Sequence, residues 1–118
     1  MKILFASSEA HPLIKTGGLA DVAGSLPRAI LNLRQDIRLV VPAYRSVLQK
    51  ADNLHFAAHL ELAGVRDPVR VLSGRLPGSN VRLYLIDSPR HFDRAGNPYT
   101  RADGTEWPDN AERFSVFC

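Results

Sequence analysis

Ser7-Ser8-Glu9-Ala10-His11-Pro12-Leu13-Ile14-Lys15-Thr16-Gly17-Gly18-Leu19-Ala20-Asp21-Val22 is the stretch whose reading decides the fold. A short apolar run, Ile3-Leu4-Phe5-Ala6, stands before it, and an apolar pattern of helical period follows. A strand, a loop with a lysine and paired glycines, and then a helix is how α/β proteins build a seat for phosphate. Adjacent glycines let the backbone turn tightly and approach a ligand with no Cβ in the way. The start of the helix offers unpaired N–H groups and a partial positive charge. Lys15 adds a full charge, and the set suits the diphosphate of an activated nucleotide compound.

Working outward, residues 2–6 read as a buried first strand and residues 7–18 as the loop. Residues 19–34 read as a helix with Leu19, Val22, Ala23, Leu26, Ile30 and Leu33 on its packed face. Pro27 lacks an N–H for its turn, so a kink or a break near Leu26 is expected. Residues 37–41 form the second strand, and strand, crossover helix and strand make a βαβ unit with parallel strands. A short helix is expected between Tyr44 and Ala51. Two β-rich runs, Phe56 to Val65 and Asp67 to Leu76, read as a hairpin joined at Gly64–Asp67. Pro77-Gly78-Ser79-Asn80 is a turn, and residues 81–86 are a strand. Residues 87–108 carry Pro89, Gly96, Pro98, Gly104 and Pro108 and read as loop. A helix starts at Pro108-Asp109-Asn110, capped by Asp or Asn. Its apolar stripe, Ala111, Phe114 and Phe117, meets Cys118 with no closing signal, so the chain reads as cut rather than finished. The fold class is therefore α/β, a Rossmann-like parallel sheet with a β-hairpin insertion.

Composition narrows the function. The 118 residues are 45% hydrophobic and 23% charged, ordinary for a globular domain. Fifteen Lys and Arg against twelve Asp and Glu give a net charge of +3. The basic residues are scattered along the chain with no run of five or six, so a solvated mixed surface is expected, and no nucleic-acid partner. One cysteine, Cys118, excludes an internal disulfide or a cysteine-rich metal site. The N-terminal apolar run is too short for a secretory signal, and no segment is long enough to span a bilayer. The expected compartment is the cytoplasm, with no membrane partner.

The candidate ligand-binding residues are Lys15, Thr16, Gly17, Gly18, Glu9 and Asp21. A cation at Lys15 would stabilise charge that builds on a departing diphosphate more than it stabilises the ground state. Gly17 and Gly18 would admit the anion to backbone N–H groups. On motif alone, a tight turn that holds no ligand competes with this reading. Glu9 and Asp21 would accept hydrogen bonds from sugar hydroxyls or hold Lys15, and Asp21 also suits the helix dipole. No residue of the chain is assigned a catalytic role, and no cofactor or metal is expected. His11, His55, His59 and His91 lack metal spacing, although His55 and His59 would share a face of a strand. Arg90 and His91 lie in a loop that could approach a ligand. Tyr99, Trp107, Asp109 and Asn110 read either as sugar contacts or as pins of a long loop. There is no G-x-G-x-x-G and no P-loop pattern.

Lys15-Thr16-Gly17-Gly18-Leu19 resembles the KTGGL signature of bacterial glycogen synthases and plant starch synthases. Ser7-Ser8-Glu9, Ala20-Asp21-Val22, Leu26-Pro27, Val40-Val41-Pro42-Ala43-Tyr44, Tyr84-Leu85-Ile86-Asp87, Phe92-Asp93-Arg94 and Pro108-Asp109-Asn110-Ala111-Glu112-Arg113-Phe114 fit in family order. The resemblance implies the N-terminal, Rossmann-like half of the two-domain GT-B fold. Residues 1–118 would be a partial catalytic domain, with the C-terminal domain absent. It implies transfer of glucose from ADP-glucose to the non-reducing end of an α-1,4-glucan, with retention. Lys15 would lie near the donor diphosphate, and the fragment alone would be inactive. Another nucleotide-sugar transferase, or a non-catalytic nucleotide- or anion-binding module, is the alternative. The family often has Gly where Arg34-Gln35-Asp36 stands, so the helix must close by other means here.

Overall fold

The computed structural model describes all residues, Met1–Cys118. In chain order the elements are β1 (Lys2–Ala6), α1 (Gly18–Asn32), β2 (Asp36–Pro42), α2 (Arg45–Lys50), β3 (Asp52–Leu60), β4 (Val69–Arg75), β5 (Arg82–Asp87), α3 (Pro89–Phe92) and α4 (Asn110–Phe117). The five strands form one sheet in the order β1-β2-β5-β4-β3. β1, β2 and β5 run parallel, β4 pairs antiparallel with β5, and β3 pairs antiparallel with β4. The hairpin expected after Pro42 thus extends the main sheet, and α3 is a turn of helix inside the segment expected to be loop-rich.

Alternate residues of β2 and β5 carry the core. Ile37, Leu39 and Val41 pack on one face, and Leu83 and Leu85 lie beside them with Ala23 of α1, Val47 of α2 and Phe92 of α3. Each of these side chains larger than alanine contributes about 1.5–3 kcal/mol on leaving water. Because β1, β2 and β5 are parallel, their C-terminal ends open on one edge of the sheet. The segments Ser7–Glu9, Ala43–Tyr44 and Ser88 leave from that edge together.

The helix after the glycines lies where the sequence places it, but it presents a different face. The residues buried against the domain are Ala20, Ala23, Gly24 and Pro27, whereas Leu19, Val22, Leu26 and Leu33 are exposed. Close approach explains the exchange. A Cβ on Gly24 would sit 2.5 Å from the His11 carbonyl oxygen, so only small residues fit along that line. Pro27 does not break the helix, which runs without interruption from Gly18 to Asn32. Arg34 closes it by taking the left-handed conformation itself, at φ 60°.

His55 and His59 do not share a face. The register of β3 on β4 shifts between Phe56 and Ala58, so His55 pairs with Ser73 and His59 with Arg70. One extra residue in a bulge reverses the side-chain alternation beyond it.

Candidate functional site

The segment that leaves β1 is folded tightly before it reaches α1. Ala10 and Ile14 exchange backbone hydrogen bonds of 3.1 and 3.0 Å, and His11 N–H donates to Ala20 O at 2.9 Å. These bonds anchor the turn to the first turn of the helix. The second half of the loop is braced from below by Glu9, which is only 2% exposed. Its carboxylate accepts from the Thr16 hydroxyl at 2.5 Å, the Gly17 N–H at 3.3 Å and the Tyr99 hydroxyl at 3.4 Å. Buried polar groups need such partners, and Glu9 finds three. Thr16 therefore orients toward Glu9.

Lys15 lies on the outside of the same loop. Its ammonium donates to both carboxylate oxygens of Asp21, at 2.8 and 2.9 Å, with the two side chains 49% and 56% exposed. Of the two acids considered as holders of Lys15, Asp21 is the one in contact. An ion pair this exposed is worth only about 0–1 kcal/mol, so an incoming anion can displace it.

Gly17 is the N-cap of α1, at φ −161°, an extended conformation open to any residue, and no side chain caps the helix. Neither Gly17 nor Gly18 has positive φ. A Cβ on either would meet nothing within 4 Å. The backbone at this pair therefore does not itself demand glycine. A side chain at either position would meet open space, and the first N–H groups of α1 have no intrahelical acceptors.

The long segment between α3 and α4 folds back onto this loop. Tyr99 Oη lies 2.7 Å from Ser8 Oγ, and Tyr44 Oη donates to Ser8 O at 2.8 Å. Burial, chiefly, pushes both phenols above their usual range, with the Glu9 charge adding to the effect. Both hydroxyls therefore stay protonated and serve as donors.

Arg113 is the residue whose role is invisible in the sequence. It is 1% exposed, and its guanidinium donates to His91 O at 2.6 Å, Pro98 O at 2.9 Å and Asn110 Oδ1 at 2.7 Å. Burial is the main reason its pKa is lowered, followed by the nearby Arg94 charge. Arg94 stacks 4.7 Å from the Trp107 ring centre and forks onto both oxygens of Asp109, at 2.7 and 2.6 Å. The Arg94 guanidinium holds the Asp109 carboxyl below the ordinary range. Asp109 precedes α4 as expected but makes no side-chain cap, because Arg94 takes its carboxylate. Asn110 Nδ2 donates to Tyr99 O at 2.9 Å. Trp107, Asp109 and Asn110 thus pin the loop. His91 is buried as well, with Nδ1 2.7 Å from Ser88 Oγ and Nε2 3.1 Å from Glu112 Oε1. Its ring joins α3 to α4 and is turned away from solvent.

A sheet whose parallel strands open at one edge beside an uncapped helix start defines an α/β domain, and in open α/β sheets ligands generally bind outside the carboxyl ends of the strands. More narrowly, the chain belongs to the starch synthase catalytic domain family, whose sequence profile matches residues 2–118. It is 60% identical over its whole length to a glycogen synthase of Thioalkalivibrio sulfidiphilus, of which it covers 25%. It is 51% identical, over 99% of its length, to glycogen synthase 2 of Nitrosococcus oceani, covering 24% of that protein. Its fold matches the catalytic domain of starch synthase IV from Arabidopsis thaliana, a structure bound to ADP and acarbose. The TM-score is 0.72 at 21% identity, over 98% of this chain and 23% of that one. The chain therefore spans about a quarter of the length of these relatives.

Proposed function

We propose that residues 1–118 are the first part of the N-terminal catalytic domain of a glycogen synthase that transfers glucose from ADP-glucose to an α-1,4-glucan, retaining the α configuration. The supporting observation is the open N-terminus of α1. Gly17 and Gly18 put no atom over its first N–H groups, and Lys15 stands beside it on a pair weak enough to yield. In this reading the donor diphosphate sits over the N–H groups and draws Lys15 away from Asp21. As the bond from glucose to diphosphate breaks, negative charge grows on the departing oxygen, and the Lys15 ammonium and helix start stabilise it. Glu9 contributes by fixing Thr16 and Gly17, so the seat is rigid before the donor arrives. Thr16 and Asp21 shape the loop on either side. The glucan acceptor and the residues that contact the glucose ring involve parts of the longer polypeptide, so the 118-residue chain alone has no synthase activity.

The test is Lys15→Ala in the full-length protein, assayed for glucose transfer from ADP-glucose to glycogen. A fall in kcat/KM of about 10²–10³ is expected, the usual cost of removing one group that stabilises transition-state charge. Unchanged donor KM and turnover would remove Lys15 from the site. Glucan elongation by the purified 118-residue chain would overturn the claim that it is inactive alone.

A further inference from the structure

The basic residues that look scattered in the sequence are gathered by the sheet. Register pairs Leu4 with Arg38, Arg38 with Arg82, Arg82 with Arg75, and Arg75 with Asp52. Directly paired residues share a face, so Arg38, Arg82 and Arg75 stand side by side on three adjacent strands. Their Cα atoms span about 10 Å, since neighbouring strands lie ~4.8 Å apart. Like charges placed directly opposite destabilise a sheet. Only Asp36 comes within ion-pair reach of the row, 3.6 Å from Arg38 Nε. Arg38 also donates to Tyr84 Oη at 2.8 Å and Arg75 to Asn80 Oδ1 at 3.3 Å, both neutral groups. Arg82 makes no side-chain hydrogen bond.

This row lies on the face opposite the core. Toward the C-terminal end of the strands the same face turns apolar, through Val40, Val71 and Ile86. There α4 approaches it, and Val116 and Phe117 line a cavity of about 480 Å³ with Val69 and Ile86. Toward the other end, two grooves of about 270 Å³ flank Tyr84, one beside Lys2 and Arg38, the other beside Arg75 and Arg82. A sheet built on parallel strands has both faces covered, and here the uncovered part is cationic.

We infer that this face is the seat of an acidic amphipathic helix supplied by the remaining part of the full-length polypeptide, with carboxylates on Arg38, Arg82 and Arg75 and apolar side chains beside Tyr84 and Val40. The inference rests on the reading of the chain as the first quarter of a longer synthase. A helix laid across the strands along this row places acids at i and i+4 ~5–6 Å apart, close to the strand spacing. Three positive groups that repel one another on a bare sheet become the complement of one helix face. A single-stranded nucleic acid would also answer the charge. The apolar end of the face and the small grooves favour a packed helix.

The sign of one substitution decides it. In the full-length protein, Arg82→Glu removes the central positive charge. Against an acidic helix it lowers the thermal midpoint, and by more than Arg82→Gln does. On a face open to water the same change relieves Arg38 and Arg75 and raises the midpoint, which overturns the inference. Zero-length carbodiimide coupling gives a readout independent of folding. It is expected to join Lys2 to an Asp or Glu beyond residue 118. Modification of the three arginines by phenylglyoxal should be about tenfold slower in native than in urea-unfolded protein, equivalent to ~1.4 kcal/mol of protection. Equal rates, or salt-sensitive binding of a single-stranded oligonucleotide lost in Arg82→Glu, overturn the acidic helix. None of these readouts involves glucose transfer, so an inactive protein with a protected face refutes the proposed reaction alone.

Discussion

Two loops meet at the C-terminal edge of the sheet, and they use their polar groups in opposite ways. In the loop from Ser7 to Gly17 the buried side is saturated, with Glu9 accepting three hydrogen bonds, while the outer side is left open. Lys15 is held only by an exposed acid, and nothing stands over Gly17 and Gly18. In the segment from Asp93 to Asp109 nearly every strong group is already engaged. Arg113 reaches Pro98 O of this segment, His91 O of α3 and Asn110, Arg94 takes Asp109, and the Trp107 ring lies against arginines. A segment saturated in this way is a support, whereas one held underneath with its outer groups unengaged is what the proposed donor seat requires.

The largest effect that would sharpen this contrast comes from Arg113→Met in the full-length protein. It leaves two buried carbonyls without their charged donor, at about 1.5–3 kcal/mol per hydrogen bond lost. The urea midpoint should fall markedly, and Arg113→Lys should recover only part, because the three donors of an ammonium sit on one nitrogen and cannot span acceptors spaced for a planar guanidinium. If Arg113→Met were as stable as the parent, the segment would not be the support described here. Next comes Gly24→Ala, whose Cβ would press on His11 O. A loss of ~1–3 kcal/mol is expected from that overpacking. Donor KM should rise with it, since the same contact positions the glycine loop.

A smaller effect is a pH dependence confined to the support. Arg94 holds the Asp109 carboxyl below its ordinary value, so folding is favoured while Asp109 is ionised. That contribution is complete above the unfolded-state value, ~3.9, and is lost as pH falls through the lower folded value. The stability gap between the parent and Asp109→Asn should therefore be full at about pH 6 and shrink as the solution is acidified below about pH 4. A gap that widens on acidification would contradict the Arg94 pairing. The smallest effect is a gain. Arg34 occupies the left-handed region, where a Cβ costs roughly 1–2 kcal/mol. Arg34→Gly should stabilise by less than about 1 kcal/mol, because glycine also loosens the unfolded chain. It lies far along the sequence from both loops and should leave donor KM unchanged.

Much of the edge was legible before any coordinates. The succession of β1, the glycine loop, α1 and β2 follows from local apolar periodicity and from Gly and Pro placement, which act over a few residues. The KTGGL stretch supplies the candidate residues, and Lys15 and Gly17 lie between β1 and α1, with Gly18 opening the helix. What periodicity misjudged in α1 was which of two apolar stripes packs. Leu19, Val22 and Leu26 have the stronger pattern, but Gly24 and its small neighbours allow the closer approach. The bulge in β3 was equally hidden, since one unpaired residue leaves no mark in composition and still sends His55 and His59 to opposite faces.

By itself the sequence determined the strand, loop and helix order, the chemistry of the open loop and the family, because these depend on residues adjacent in the chain. Only the tertiary structure decided that Glu9 braces the loop from beneath and that Arg113 is buried. It alone brought Arg38, Arg75 and Arg82 into one row. Those arginines come from three strands, and nothing local sets their distance. Sheet register does, by converting separations of dozens of residues into a spacing of ~5 Å, at which charge is felt.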